Sequence, residues 1–155
     1  MKRITIDHKE YTIEYSIEAS LYDECTISVM DVFVKAGMSE AYAKNGDAKA
    51  AMDEMLSTMA GLPNRVVTLF YAGLLEHHGE DGDKSVSSRD DAKKLLKKYI
   101  TESNKSYMDV NNELMETIVE DNFFELIGLN EMLPTETKPK RGRKKKEDGE
   151  TTSEI

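Results

Sequence analysis

The side chains with the most definite chemical pattern lie in a basic run late in the sequence. Seven of the nine residues from 138 to 146 are Lys or Arg. Cations at this density neutralise phosphates and release counterions, which gives nucleic-acid binding that weakens steeply as the salt concentration rises. The candidate residues for a nucleic acid or another acidic partner are Lys140, Arg141, Arg143, Lys144, Lys145 and Lys146.

Two further features bear on this basic run. Arg141-Gly142-Arg143 is similar to the core of an AT-hook, which lies in the narrow minor groove of A·T-rich DNA, although Lys144 stands where that motif has Pro. The run can also pair with the acidic remainder of the chain or stay solvated. The sequence leaves these interpretations open: a nucleic acid, an acidic protein, or no external partner.

Other reactive side chains give no catalytic or metal-binding pattern. Cys25 lies on a predicted apolar helix face, where a thiol is usually a small core residue. The adjacent His77-His78 pair points about 100° apart on a helix, which is unsuited to sharing a zinc ion. The acidic loop that follows has Val86 and Ala92 where a calcium loop needs Gly and Glu. We therefore expect no enzyme activity, no cofactor and no metal site.

Charge and composition separate residues 134–155 from the rest of the chain. The 155 residues include 21 Lys and Arg against 30 Asp and Glu, a formal net charge of -9. Residues 134–155 hold seven of the basic and five of the acidic residues, which leaves a net charge of -11 on residues 1–133. The final segment has no aromatic residue and one large aliphatic, so it buries too little apolar surface to offset its ordering entropy. We predict one folded domain over 1–133 and a disordered tail over 134–155.

The compartment follows from what the sequence lacks. No apolar run reaches the roughly 18 residues of a membrane span, and the first residues have no apolar stretch typical of a secretory signal. One Cys cannot form an internal disulfide. These observations predict a cytoplasmic protein with no membrane segment.

The elements that position these residues are a hairpin followed by helices. Apolar residues alternate in Arg3–Asp7 and in Glu10–Tyr15, which predicts two strands joined at His8-Lys9. Apolar spacing of three and four then predicts about five helices. These begin at Ser16 and end before Gly37, run from Asp47 to Ala60, from Asn64 to His78, from Ser88 to about Ile100, and from Tyr107 to Ile127. The predicted fold is α+β and mainly α.

Five segments of this sequence, in this order, resemble the tail assembly chaperones of long-tailed phages and prophages of Gram-positive bacteria. They are Ile4–Tyr15, Glu18–Leu21, Gly61–Pro63, Thr68–Gly79 and Asp121–Leu129. The resemblance covers residues 1 to about 130. It implies a small, acidic, helical protein that binds the tape measure protein and keeps this apolar helical chain soluble until tail tube subunits assemble around it.

The resemblance also implies partners and a place of action. Such chaperones act in the cytoplasm of the bacterial host and are absent from the finished particle. In many relatives a ribosomal frameshift appends a domain that recruits the tail tube protein, and Lys144-Lys145-Lys146 is compatible with a slippery run of adenines. The hairpin could pair between subunits and give a homo-oligomer along the client.

The contacts to an apolar client are expected on the second and third predicted helices. Methionine rows usually fill cores, but they also form adaptable binding surfaces, and an amphipathic helix can pack against a partner helix. The candidate partner-binding residues are Met52, Met55, Met59, Leu69, Phe70 and Leu74. The predicted function is that of a tail assembly chaperone, and the alternative is a nucleic-acid-binding or regulatory protein acting through residues 138–146.

Overall fold

The structure is a computed structural model that describes residues 1–129. Its elements are strands β1 (Lys2–Ile6) and β2 (Lys9–Ile13) and helices α1 (Ile17–Leu21), α2 (Asp23–Lys44), α3 (Ala48–His78), α4 (Arg89–Ser103), α5 (Tyr107–Glu120) and α6 (Phe123–Leu126). The mainly helical α+β class with an N-terminal hairpin is confirmed. The predicted domain boundary at 133 and the predicted disordered tail lie outside the described residues.

The hairpin forms because alternate side chains of both strands bury one face. Strands β1 and β2 pair antiparallel, with Ile4 opposite Tyr11, and both of these side chains are buried. The turn residues are Asp7 and His8, whose φ angles of 49° and 62° are left-handed. The turn predicted at His8-Lys9 is therefore wrong by one residue, because Lys9 already pairs with β1.

The hairpin packs against the second half of α3, where a glycine permits close approach. The backbone amide of Glu14 donates to the carbonyl of Gly73 at 2.8 Å. A Cβ at Gly73 would lie 2.5 Å from Cγ2 of Ile13. A side chain at this position would have to displace the Ile13 side chain, so the lack of one at Gly73 permits the close approach of hairpin and helix.

The first predicted helix is divided in the structure. Helix α1 stops at Tyr22, whose extended backbone (φ -89°, ψ 95°) breaks the hydrogen-bond ladder before α2 begins. The side chain of Ser16 donates to Glu76 rather than capping α1. Helix α2 continues through Gly37 to Lys44, so the helix end predicted before Gly37 is wrong. Glycine adopts right-handed as well as left-handed helical angles, and the glycines with positive φ within residues 1–129 are Gly46 and Gly128.

The second and third predicted helices are one continuous helix, α3. Asp47 caps its start by accepting from the amide of Ala50 at 3.0 Å, as a helix beginning there requires. The predicted break at Gly61 and Pro63 is wrong. Pro63 lacks the amide that would bond the carbonyl of Met59, but both residues are exposed, so water can satisfy that carbonyl and the helix persists.

The last helices are set by their caps. Helix α4 begins where predicted, and there Ser88 accepts from the amide of Asp91. Ser106 with Asp109 forms a capping box on α5. The helix predicted to run from 107 to 127 instead ends at Glu120. Asn122 takes a left-handed conformation (φ 55°), and α6 follows it.

One core joins the hairpin to all six helices of residues 1–129. Its largest fully buried side chains include Tyr15, Phe70 and Phe123. The ring of Tyr15 meets that of Phe123 edge to face at 5.9 Å, and Phe70 stacks on Tyr99 at 6.3 Å. No helix within residues 1–129 is long and apolar enough to cross a membrane.

Candidate functional site

The exposed apolar surface is concentrated on a pair of helical segments that we call the helical arm, residues 34–61. The arm comprises the second half of α2, the turn, and the first half of α3. No residue in this range is buried, whereas every buried residue of α3 lies at Leu62 or beyond. At the base of the arm, Phe33 meets Phe124 edge to face at 5.3 Å. The arm therefore lies outside the core.

A row of four exposed apolar side chains follows one face of α3 in the arm. Their exposed fractions are 56% for Met52, 58% for Met55, 59% for Leu56 and 44% for Met59. Spacing of three, four and seven residues puts these side chains on one face of the helix, over two turns. We call this set the methionine row. Thioether side chains adapt to irregular apolar partners, so the row is suited to contact with another helix.

The structure divides the six predicted partner-binding residues into two groups. Met52, Met55 and Met59 are exposed together, whereas Leu69, Phe70 and Leu74 are each 0% exposed. The latter three belong to the half of α3 that the hairpin, α4 and α5 cover. A partner cannot reach them in this fold, so the expectation that they contact a client is corrected to a role in the core.

Cys25 is buried in the core, and His77 and His78 each contact an acidic side chain of the same chain. Burial raises the pKa of the Cys25 thiol to about 12, so the prediction that it is a core residue is confirmed. His77 contacts Glu14, and the Nδ1 atom of His78 lies 3.0 Å from Asp83. Within residues 1–129, no three His, Cys, Asp or Glu side chains are placed to hold a metal ion.

A second surface, which we call the cationic cleft, lies between α3 and α4. It has a volume of about 620 Å³. Its charged lining is Arg89, Lys93, Lys94, Lys97 and one acid, Asp90. Its remaining lining is Pro63, Asn64, Val67, Leu96 and Tyr107.

Arg89 fixes the end of this cleft. Its guanidinium donates to the carbonyl of Asn64 at 3.3 Å, to the Asn64 side-chain oxygen at 2.5 Å, and to Thr68 Oγ1 at 3.3 Å. The Nε atom of Arg89 is buried and has no hydrogen-bond partner within residues 1–129. These contacts hold the first turn of α4 against α3.

The cationic cleft could not be recognised from the sequence. The available signal was the spacing of Lys93, Lys94 and Lys97, which places three cations on neighbouring positions of a helix. Such a face is usually only solvated. The surface becomes a cleft because Asn64 and Val67 of α3 lie beside it. No local sequence pattern indicates this contact.

A shallower groove of about 440 Å³ runs between α1 and α6. Ile17 and Leu126 are exposed in it, at 62% and 49%. Its acidic residues are partly engaged, since Asp121 accepts from the Tyr15 amide at 2.9 Å.

The predicted nucleic-acid residues Lys140, Arg141, Arg143, Lys144, Lys145 and Lys146 lie outside the described residues. Comparison of the chain with known protein families, with characterised proteins and with solved structures gives no match. The function must therefore be argued from the helical arm, the cationic cleft and the charge of the chain.

Proposed function

We propose that this chain is a tail assembly chaperone of the long-tailed phage type, and that its helical arm binds an apolar face of the tape measure protein. The observation that carries the proposal is the methionine row, in which four apolar side chains of one helix face are all at least 44% exposed. The five sequence segments that resemble such chaperones, in the same order along the chain, support the same function.

Exposure of this much contiguous apolar surface to water is unfavourable, and a monomer that has no partner usually buries it. Scattered apolar residues are common on surfaces, but contiguous apolar patches usually mark a contact site. The row from Met52 to Met59 extends about 10 Å along the helix axis. That length matches about two turns of a partner helix, which is the contact made when an amphipathic helix packs into an apolar surface.

The charge of the chain suits a protein that exposes apolar surface. A net charge of -9 opposes self-association at neutral pH and keeps the complex with an apolar client dissolved. The same charge repels nucleic acid over most of the surface, which favours a protein client.

On this proposal the protein acts in the cytoplasm of the bacterial host and is left out of the finished particle. Its client is the tape measure protein, and a frameshifted form would add contact with the tail tube protein. Several copies would bind along one client. In the described chain the hairpin packs on its own α3, so a homo-oligomer would be organised by the client or by the arms.

Co-expression with a tape measure protein from a phage of the same host tests the proposal. The test variant replaces Met52, Met55 and Met59 with Gln, which removes apolar area without touching the core. The matched control replaces three exposed apolar residues outside the arm, Leu21, Met108 and Leu126, with Gln. Soluble client is measured by co-purification and quantified after sedimentation.

We expect the unaltered chain and the control variant to keep the client soluble, and the arm variant to lose most of this effect. Deletion of 134–155 should leave it intact. Failure of the unaltered chain to dissolve or retain the client would reject the proposal. Retention of DNA at low salt, abolished by deleting 138–146, would instead support the nucleic-acid alternative.

A further inference from the structure

We propose that the cationic cleft binds an acidic, amphipathic helical segment of a partner protein. This inference does not depend on the chaperone proposal, because the cleft and the methionine row are different surfaces. It rests on the charge of the cleft, on the chemistry of its floor and on the fixed position of Arg89.

The charge of the cleft is opposite to that of the surrounding chain. Residues 1–129 contain 24 Asp and Glu against 14 Lys and Arg, yet the cleft has four cations and one acid. Lys93 and Lys97 make no ion pair within the described part of the chain, and the pair that Lys94 forms with Asp91, at 3.7 Å, is exposed. These cations remain available to carboxylates of a partner.

The floor of the cleft is aliphatic. The buried Val67 and Leu96, 8% and 2% exposed, form its base, and Pro63 and Tyr107, the latter 42% exposed, add accessible apolar surface. Apolar side chains from one face of a helix can pack on such a floor while acidic side chains at the edges of that face reach the lysines. The combination of apolar floor and cationic rim therefore fits an acidic amphipathic helix.

The cleft is formed before any partner arrives. Asn64 and Thr68 on α3 hold the guanidinium of Arg89, so that α3 and α4 keep their spacing and Arg89 is not free to move. Preformed sites lose less side-chain entropy on binding than flexible ones. A volume of about 620 Å³ lies within the roughly 300–1,000 Å³ of typical binding pockets, enough for a few side chains.

The chemistry disfavours a nucleic acid in this cleft. Single-stranded nucleic acids bind where aromatic side chains stack on successive bases, and Tyr107 is the one aromatic residue that residues 1–129 contribute to the lining. Duplex DNA carries a charge about every 1.7 Å, so phosphates beyond the cleft would meet the acidic surface of the chain. A short acidic peptide avoids both difficulties.

Fluorescence anisotropy with the full chain tests the inference. The probe is a labelled synthetic helix with Leu at positions i, i+3, i+4 and i+7 and Glu elsewhere. A helix with Lys in place of every Glu, and an oligothymidine, serve as comparison probes. The test variant is Lys93→Glu with Lys97→Glu. The matched control is Lys44→Glu with Lys49→Glu, which makes the same charge change at exposed helical positions outside the cleft.

We expect the acidic helix to bind and the test variant to weaken this binding by about tenfold with an unchanged circular dichroism spectrum. Any binding of the Lys helix to the acidic surface of the chain should not weaken in the test variant. The measurement is made in a background with Gln at Met52, Met55 and Met59, so that the methionine row does not bind the Leu face of the probe, and there the control variant should leave the affinity unchanged. The inference is overturned if the acidic helix does not bind, or if the test and control variants weaken its binding equally. It is also overturned if binding is lost only in the variant Lys140→Glu with Lys144→Glu. Tighter binding of the oligothymidine would overturn it in favour of a nucleic acid.

Discussion

The backbone amide of Thr12 donates a hydrogen bond to Nε2 of His78 at 2.9 Å. Because Nε2 accepts, it carries no proton, and the proton of the neutral ring lies on Nδ1, which faces Asp83 at 3.0 Å. The imidazole thus bridges β2 and the loop after α3. The ring is 6% exposed and lies 5.1 Å from that of Tyr11. The His78 side chain thus joins the hairpin, α3 and the loop that follows α3.

Replacing His78 with Phe should therefore destabilise the fold by about 1 kcal/mol, the low end of the cost of leaving an amide without an acceptor, because the Thr12 amide is only partly buried. Phe keeps a ring beside Tyr11, so packing changes little. His78→Gln restores an acceptor and should lose less stability. Urea denaturation measures both variants. Equal stability of the Phe variant and the unaltered chain would show that the Thr12 amide finds another acceptor.

A second prediction concerns the approach of the hairpin to α3. Gly73→Ala places a methyl group 2.5 Å from Cγ2 of Ile13, and overpacking of this kind costs about 1–3 kcal/mol. Gly61→Ala is the matched control, because it lies in the same helix with no atom within 4 Å of the new Cβ. The control should be stabilised by about 0.5–1 kcal/mol through helix propensity. Thermal unfolding should therefore shift in opposite directions for the two variants, and a shift in the same direction would contradict the packing described for Gly73.

The parts of the fold that could be predicted from sequence are those with a local cause. The hairpin follows from period-two alternation with one buried face, and the start of α4 follows from Ser88 as a cap. The join of two predicted helices into α3 could not be predicted, because Gly61 and Pro63 both indicate a boundary. Only the exposure of Pro63 and Met59 in the folded chain makes the continuous helix tolerable.

The candidate site also has parts that could be predicted from the sequence and parts that could not. The methionine row could be recognised from its spacing, and its exposure follows from the arm lying outside the core. The predicted client contact of Leu69, Phe70 and Leu74 requires exposed side chains, whereas these three are buried in the core. The cationic cleft depends on the meeting of α3 and α4 across the loop between them, which is tertiary information.

A third prediction concerns acid. Hydrogen bonds from Ser85, with a smaller contribution from His78, lower the pKa of Asp83 from 3.8 to about 2. Since the folded-state pKa is the lower one, the unfolded chain takes up the proton first as pH falls. The stabilisation by this carboxylate is thus complete above about pH 4 and is lost as pH falls towards about 2. Asp83→Asn should be less stable than the unaltered chain at about pH 5, with the difference vanishing near pH 2.

Asp81→Asn is the control for this prediction, because Asp81 makes no hydrogen bond or ion pair in the part of the chain that the structure describes. Urea midpoints for the three proteins across this pH range give the comparison. The assignment to Asp83 would be contradicted if its Asn variant and the Asp81 variant showed the same pH dependence.

The last prediction concerns the motion of the helical arm. Local stability is low where few apolar side chains are buried, and no residue of the arm is buried. Amide hydrogen exchange should therefore be faster in Ala48–Ala60 than in Leu62–His78, although both belong to α3. The missing hydrogen bond at Pro63 separates the two halves and lets the first half fray without unfolding the second.

Pro63→Ala should reduce this difference, because it supplies an amide to the carbonyl of Met59 and removes a residue that costs roughly 3 kcal/mol in a helix interior. Exchange in the arm should slow while exchange around Leu69 and Phe70, which follows opening of the core, changes less. Leu21→Gln, an exposed change outside the arm, is the control and should alter neither region. Equal exchange along the whole of α3 in the unaltered chain would contradict the prediction and show that the arm is as stable as the core. A client would then bind a methionine row that is already rigid.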